Sequence, residues 1–177
     1  MRAILTVPGI GNSEPEHWQS IWERSYPGVT RVMQRNWDHP VCSEWVSAID
    51  EAVARSATGP VIVAHSLGCL AVAHWAFGSA RAVAGIVLVA VPDPEGPNFP
   101  AAAKGFAPVP LSLRGRRELI ISSSDDPYGN AGWSRLLAEA YRARLIELID
   151  AGHINVASGL GEWDEGWTRV KTFVDQE

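Results

Sequence analysis

The sequence predicts an α/β fold in which one mostly parallel sheet of about six strands carries helices on both faces. Three observations lead there. Short β-branched runs alternate along the chain with longer amphipathic segments, the pattern of strands joined by helical crossovers. Two of the runs, Val61-Ile62-Val63 and Ile86-Val87-Leu88-Val89, are apolar at every position, as strands covered on both faces must be. The chain of 177 residues, 46% hydrophobic and 20% charged, has the length and composition of one globular domain spanning 1–177.

Taken in order, strands are expected over Ala3–Val7, Thr30–Asn36, Pro60–Ala64, Gly85–Ala90, Glu118–Ser122 and Arg144–Ile149. Ser13 with Glu16 three residues on reads as a capping box opening a helix that buries Trp18, Ile21 and Trp22. Ser43 is placed to cap a second helix, with Trp45, Val46, Ile49, Ala52 and Val53 on one face. A third runs from near Ser66 to Phe77, and a fourth carries Leu136, Leu137, Ala140 and Tyr141. The last presents Trp163, Trp167, Val170 and Val174 at helical spacing. Val91–Leu113 breaks the rhythm: it holds six prolines, has no clear period, and lies between two strands. A stretch of that length reads as a stiff, lid-like excursion, with Phe99 and Phe106 supplying an apolar underside.

Composition removes several function classes. A net charge of −5 with no basic run argues against a nucleic-acid or anionic-membrane surface. Arg114, Arg116 and Arg117 read as the solvated lead-in to a strand. The apolar stretch at Ala3–Val7 is too short for a signal-peptide core or a membrane span, so a cytoplasmic location is expected. Cys42 and Cys69 lack metal-ligand spacing and read as free thiols, and no histidine pair is spaced with carboxylates for zinc. Gly9-Ile10-Gly11 invites a dinucleotide reading with Asp38 on the ribose. Glu14 stands where the third glycine should be, and Glu14 and Glu16 would repel a pyrophosphate.

The chemistry concentrates at Val61-Ile62-Val63-Ala64-His65-Ser66-Leu67-Gly68. An apolar strand runs into a serine flanked two residues either side by small residues, and a helix follows. This is a nucleophile elbow, with Ala64 for the first glycine of G-x-S-x-G, and it makes the fold an α/β-hydrolase. A serine hydroxyl needs a base, and in this fold the acid and then the histidine follow it in the chain. Beyond His74 the sole histidine is His153, directly after the last strand, with Gly152 permitting a tight turn. Asp125 and Asp126 both stand at the exit of the preceding strand. Asp126 is favoured because Pro127 biases it towards extended backbone, leaving Asp125 as the more solvated neighbour; Asp93 and Asp150 are outsiders. Backbone N–H groups of Leu67 and of Ile10, with Gly11 next, are the candidate donors to an oxyanion. His65 reads as packing the elbow and His74 as a helix residue. His17, His39, Trp37 and Trp133 are candidates to overhang or line the pocket.

These residues resemble the small serine hydrolase family typified by retinoblastoma-binding protein 9 and the bacterial YdeN proteins. The resemblance rests on Pro8-Gly9-Ile10-Gly11, His17-Trp18, Ala64-His65-Ser66-Leu67-Gly68-Cys69, Ser124-Asp125-Asp126-Pro127 and Gly152-His153, in that order. It implies a shortened α/β-hydrolase sheet, a serine-hydrolase active site, and Asp126 over Asp125 as the acid. The retinoblastoma-binding L-x-C-x-E motif is absent, because Leu67-Gly68-Cys69-Leu70-Ala71 ends without Glu, so no protein partner is carried over. The expected activity is esterase-like hydrolysis of a small ester or amide through Ser66, Asp126 and His153, with no cofactor or metal. Fold alone also admits a binding or regulatory protein on the same scaffold without turnover.

Overall fold

The computed structural model describes residues 2–175. Six strands form one all-parallel sheet in the order β2-β1-β3-β4-β5-β6. The strands are β1 (Ile4–Val7), β2 (Val29–Arg31), β3 (Val61–His65), β4 (Gly85–Val89), β5 (Glu118–Ser123) and β6 (Arg144–Leu148). The helices are α1 (Trp18–Ser25), α2 (Cys42–Arg55), α3 (Leu67–Gly78), α4 (Ala131–Tyr141) and α5 (Asp164–Asp175). Among the described residues no helix is long and apolar enough to cross a membrane.

Alternation along the strands builds two cores. Leu5, Val7, Ile62, Ala64, Ile86, Leu88 and Ile120 face α2, α3 and α4. Ile4, Val61, Val63, Val87, Val89, Leu119 and Ile121 face α1 and α5. Because helices cover both faces, β3 and β4 are buried at every position. The α1–α5 side is dominated by indoles: Trp22 stacks on Trp163 and meets Trp167 edge-on, while Trp18 touches Trp22 and Trp163. Two of the ring nitrogens bond main chain, Trp18 Nε1 donating to the Ile154 carbonyl (2.8 Å) and Trp22 Nε1 to that of Glu162 (2.7 Å).

Several local expectations are corrected. The second strand stops at Arg31 instead of reaching Asn36. After the Val32 N–H bonds the Thr6 carbonyl (2.9 Å), a longer strand would have to pair with Pro8, which has no N–H. The side chain of Asn36 instead accepts from the N–H groups of Asp38 and His39 and turns the chain. The Ser13–Glu16 capping box does not form: α1 starts at Trp18 with His17 as N-cap, its Nδ1 accepting from the Gln19 N–H. Ser13 donates to the Gln19 side chain instead (2.9 Å). Ser43 caps nothing, since α2 begins one residue earlier behind Val41. On α4 Leu136 is exposed, and Leu137, Ala138 and Tyr141 carry the packing. Trp163 precedes α5 rather than lying on it, and Phe173 completes the buried face. Arg116 is no solvated lead-in: half-buried, it donates to the carbonyls of Ala76, Leu113 and Ser79. Cys42 and Cys69 are free and buried.

The proline-rich excursion is a pinned strap. Phe106 and Leu113 plug into the α2–α3 core, Phe106 edge-on to Trp45, so Phe106 forms no underside to a pocket. Lys104 exchanges main-chain bonds with Pro40 and Cys42. Asp93 N–H and the Asn98 side chain both bond the Pro127–Tyr128 main chain.

Glu118, at the start of β5, is buried with Oε1 unpartnered, and burial pushes its carboxyl up to about 7 from its ordinary 4.5. A raised acid favours the native state below 4.5 and loses that advantage as pH rises towards 7. Glu118→Gln is therefore expected to flatten this slope, gaining about 1–2 kcal/mol over wild type between pH 5 and pH 8. Urea unfolding of both proteins at the two pH values measures it. A constant difference between them would show that the charge does not matter.

Candidate active site

Ser66, Asp126 and His153 follow β3, β5 and β6 and so lie together at the C-terminal edge of the parallel strands. Ser66 follows β3 with φ 54° and ψ −129°, a strained conformation for a residue with a Cβ. Its N–H is held by the Val89 carbonyl (3.0 Å), and its carbonyl accepts from Cys69. The strain is accommodated because the neighbours are small. A Cβ on Gly68 would stand 2.4 Å from the Val7 carbonyl oxygen and 2.5 Å from that of Pro8, and one on Gly9 would stand 2.8 Å from Ser66 Cβ. The β1 loop can thus lie directly against the elbow.

His153 and Asp126 converge on the serine. The Ser66 hydroxyl lies 2.8 Å from His153 Nε2, and His153 Nδ1 lies 2.9 and 3.0 Å from the two oxygens of Asp126. The Asp126 side chain is almost wholly shielded from water and that of His153 nearly so, at 1% and 10% exposure. A further bond from the Tyr128 N–H (2.9 Å) fixes the carboxylate, as the turn through Pro127 allows. With Asp126 accepting from Nδ1–H, Nε2 is left bare to accept from the hydroxyl.

Asp125 is exposed, but it is more than a solvated neighbour. Its Oδ1 accepts from Ser123 Oγ (2.7 Å) and from the Gly152 N–H (2.8 Å), and these bonds hold its carboxyl below the usual range. It therefore ties the turn before His153 to the end of β5, and Gly152 adopts the left-handed φ of 54° that this turn requires.

Of the candidate oxyanion donors, Gly11 drops out because its N–H is taken by the Trp37 carbonyl (2.9 Å). The N–H groups of Ile10 and of Leu67, the first residue of α3, engage no acceptor among the described residues. Both residues line a cavity of about 210 Å³ together with Ser66, His153, Tyr128 and Pro100. Trp37 and Trp133 do not line it: Trp37 packs edge-on to Trp45, and Trp133 Nε1 donates to the Pro92 carbonyl. His39 is exposed and also absent from the lining. His17, Asn12, Glu14 and Asn155 are present there; only His17 among them was anticipated, and nothing in the spacing of the other three marks them. Burial, together with Arg31 and His153 nearby, lowers His17 to about 4, so its ring is neutral near pH 7.

A six-stranded parallel sheet with an elbow serine over β3 and a histidine after β6 defines an α/β-hydrolase. The family model described as serine hydrolase matches residues 4–172, and the chain belongs to that family. It is similar to a YdeN-like hydrolase of Pectobacterium atrosepticum, with 30% identity and a TM-score of 0.87 over 98% of this chain and 90% of that one. The ydeN gene product of B. subtilis shares the fold at 20% identity and a TM-score of 0.84, covering 99% of this chain and 100% of that one. So does a Paleococcus ferrophilus monoacylglycerol lipase, at 15% identity and a TM-score of 0.72 over 98% and 94%. No curated protein matches the chain significantly.

Proposed function

We propose that the chain hydrolyses small esters or amides by acyl transfer through Ser66, with His153 as general base and acid and Asp126 as its orienting partner. The observation that carries the reading is the unbroken hydrogen-bonded series Ser66–His153–Asp126 opening on the cavity. In the first step Ser66 Oγ bonds the substrate carbonyl carbon while its proton passes to His153 Nε2. The carbonyl electron pair moves onto oxygen, where the N–H groups of Ile10 and Leu67 receive it. Asp126 stabilises the imidazolium so formed without taking its proton. Collapse of the adduct expels the alcohol or amine, protonated by His153, and leaves an acyl-Ser66 ester. Water, activated by the same imidazole, then releases the acid.

A fluorophosphonate probe tests the reading against that of a scaffold without turnover. Wild type is expected to carry one phosphonyl group on the peptide containing Ser66, and Ser66→Ala none; an unreactive wild type would overturn the proposal.

The cavity of about 210 Å³ falls below the usual span for drug-sized ligands, about 300–1,000 Å³, and Pro92 and Pro100 of the pinned strap wall it. Short acyl chains are accordingly favoured. Over a series of p-nitrophenyl esters from two to sixteen carbons, kcat/KM is expected to peak at the short end. Decline should be graded, since one methylene is worth only about 1–3 kcal/mol in an apolar pocket. A steady rise to the longest chains would mean that the strap moves aside.

A further inference from the structure

The turn that carries His153 is held in an unfavourable shape. Asp150, Gly152 and Ile154 have φ of 50°, 54° and 48°, and two of these are not glycine. It follows β6, an edge strand half-buried at best, so little packing is available from the strand itself. Such a backbone persists only where its surroundings fix it. Side chains from other elements in fact hold a main-chain group of each of its five residues. The N–H groups of Asp150, Ala151 and Gly152 bond Ser124 Oγ (3.0 Å), Ser123 Oγ (2.9 Å) and Asp125 Oδ1 (2.8 Å). The carbonyls of His153 and Ile154 bond His65 Nε2 (2.9 Å) and Trp18 Nε1 (2.8 Å).

These five bonds divide by origin. The first three come from the end of β5 and the two residues after it, and set the turn relative to the segment bearing Asp126. His65 does something different, because it is the residue before Ser66. Its ring crosses to the histidine's own carbonyl, so the backbone of His153 is referred to the backbone of the serine it must reach. A carbonyl can only accept, so His65 carries its proton on Nε2. Burial lowers the ring well below its ordinary 6.5 and keeps it neutral, with the tilted rings of His17 and His153 at 4.8 and 5.1 Å.

We propose that His65 is a positioning residue for the hydrolysis, its Nε2–H fixing the His153 main chain so that the imidazole spans Ser66 and Asp126. The inference rests on the serine-hydrolase reading above. It differs from a space-filling role for His65, which any side chain of similar reach could take over.

Two variants of similar length separate these roles. His65→Gln can present an amide N–H to the carbonyl, and His65→Met cannot. With a short p-nitrophenyl ester, His65→Met is expected to lose kcat on the order of 10²-fold, the usual effect of a misplacement near 1 Å. KM should stay within about threefold, because His65, although it borders the cavity, is buried and its Nε2–H is committed to the His153 carbonyl rather than to the ester. His65→Gln should recover at least about tenfold of that loss. Melting curves taken alongside confirm that both are folded; if the Met variant is not, His65→Asn replaces it, since its shorter amide cannot span to the carbonyl. Equal kcat in the donor and donor-less variants, or a loss confined to KM, overturns the assignment. The two readings fail separately. A wild type inert to fluorophosphonate removes the hydrolase reading, whereas a reactive wild type beside a donor-less variant of full kcat removes only the role of His65.

Discussion

Ser66→Ala and His153→Ala are each expected to abolish nearly all ester turnover, on the order of 10⁴-fold or more in kcat. The first removes the atom that would bond the carbonyl carbon. The second leaves the hydroxyl with its proton, since no other titratable side chain among the described residues bonds Ser66 Oγ. His65 and His17 are poor substitutes: neither bonds Ser66 Oγ, and burial makes both rings weak bases, lowering His17 to about 4 and His65 well below its ordinary 6.5. Because the groups act as a unit, the double variant should be little slower than either single one. Residual rate over water should survive in all three from binding and the backbone donors. Initial rates on p-nitrophenyl acetate, with circular dichroism to confirm folding, decide the matter. Near-normal turnover in Ser66→Ala would place the chemistry elsewhere.

Asp126→Asn should cost about 10²–10⁴-fold in kcat, and Asp125→Asn much less. At Asp126 both oxygens face Nδ1 and one also accepts from Tyr128. An amide with its oxygen towards the ring keeps the geometry but loses the charge that stabilises the imidazolium. Turned the other way, its NH₂ forces the ring proton onto Nε2, where it blocks acceptance from Ser66. At Asp125 the single engaged oxygen, Oδ1, is one an asparagine also has, so the bonds to Ser123 and Gly152 survive the exchange. Were Asp125→Asn the slower variant, the turn before His153, rather than the charge beside it, would be limiting.

The strand cores and the three convergent residues were legible because each carries a signal in few residues. Val61–Val63 and Ile86–Val89 are apolar throughout, the serine sits at the end of one of them, and only one histidine lies beyond His74. What failed to show depends on partners distant in the chain. His17 became the cap of α1 because Ser13 is drawn to the side chain of Gln19, a competition that spacing does not display. β2 ended where its neighbour runs into Pro8, a fact about β1 and not about the residues from Val32 to Asn36. Phe106 looked like a lid residue and proved to be core, because the strap it belongs to is sewn down by Lys104 and Asn98. The tether from His65 joins residues 88 apart, beyond the reach of any local pattern.

The strand order and the indole cluster together set when the Ser66–His153 bond and the cover of α1 can form during synthesis. Beyond β1 the sheet extends in chain order, β3, β4, β5, β6, so each new strand is added at one growing edge. Ser66 therefore leaves the ribosome well before the imidazole it bonds, which stands 87 residues further on. Trp18 and Trp22 also wait, since the carbonyls and rings they rest on belong to residues 154–167. A nascent chain that stalls before β6 thus has Ser66 without its His153 partner and an α1 with bare indoles. Its α1 face is then an uncovered apolar surface, the kind that makes partly folded chains prone to aggregate. The arrival of one C-terminal segment covers that face and completes the Ser66–His153 bond at the same time.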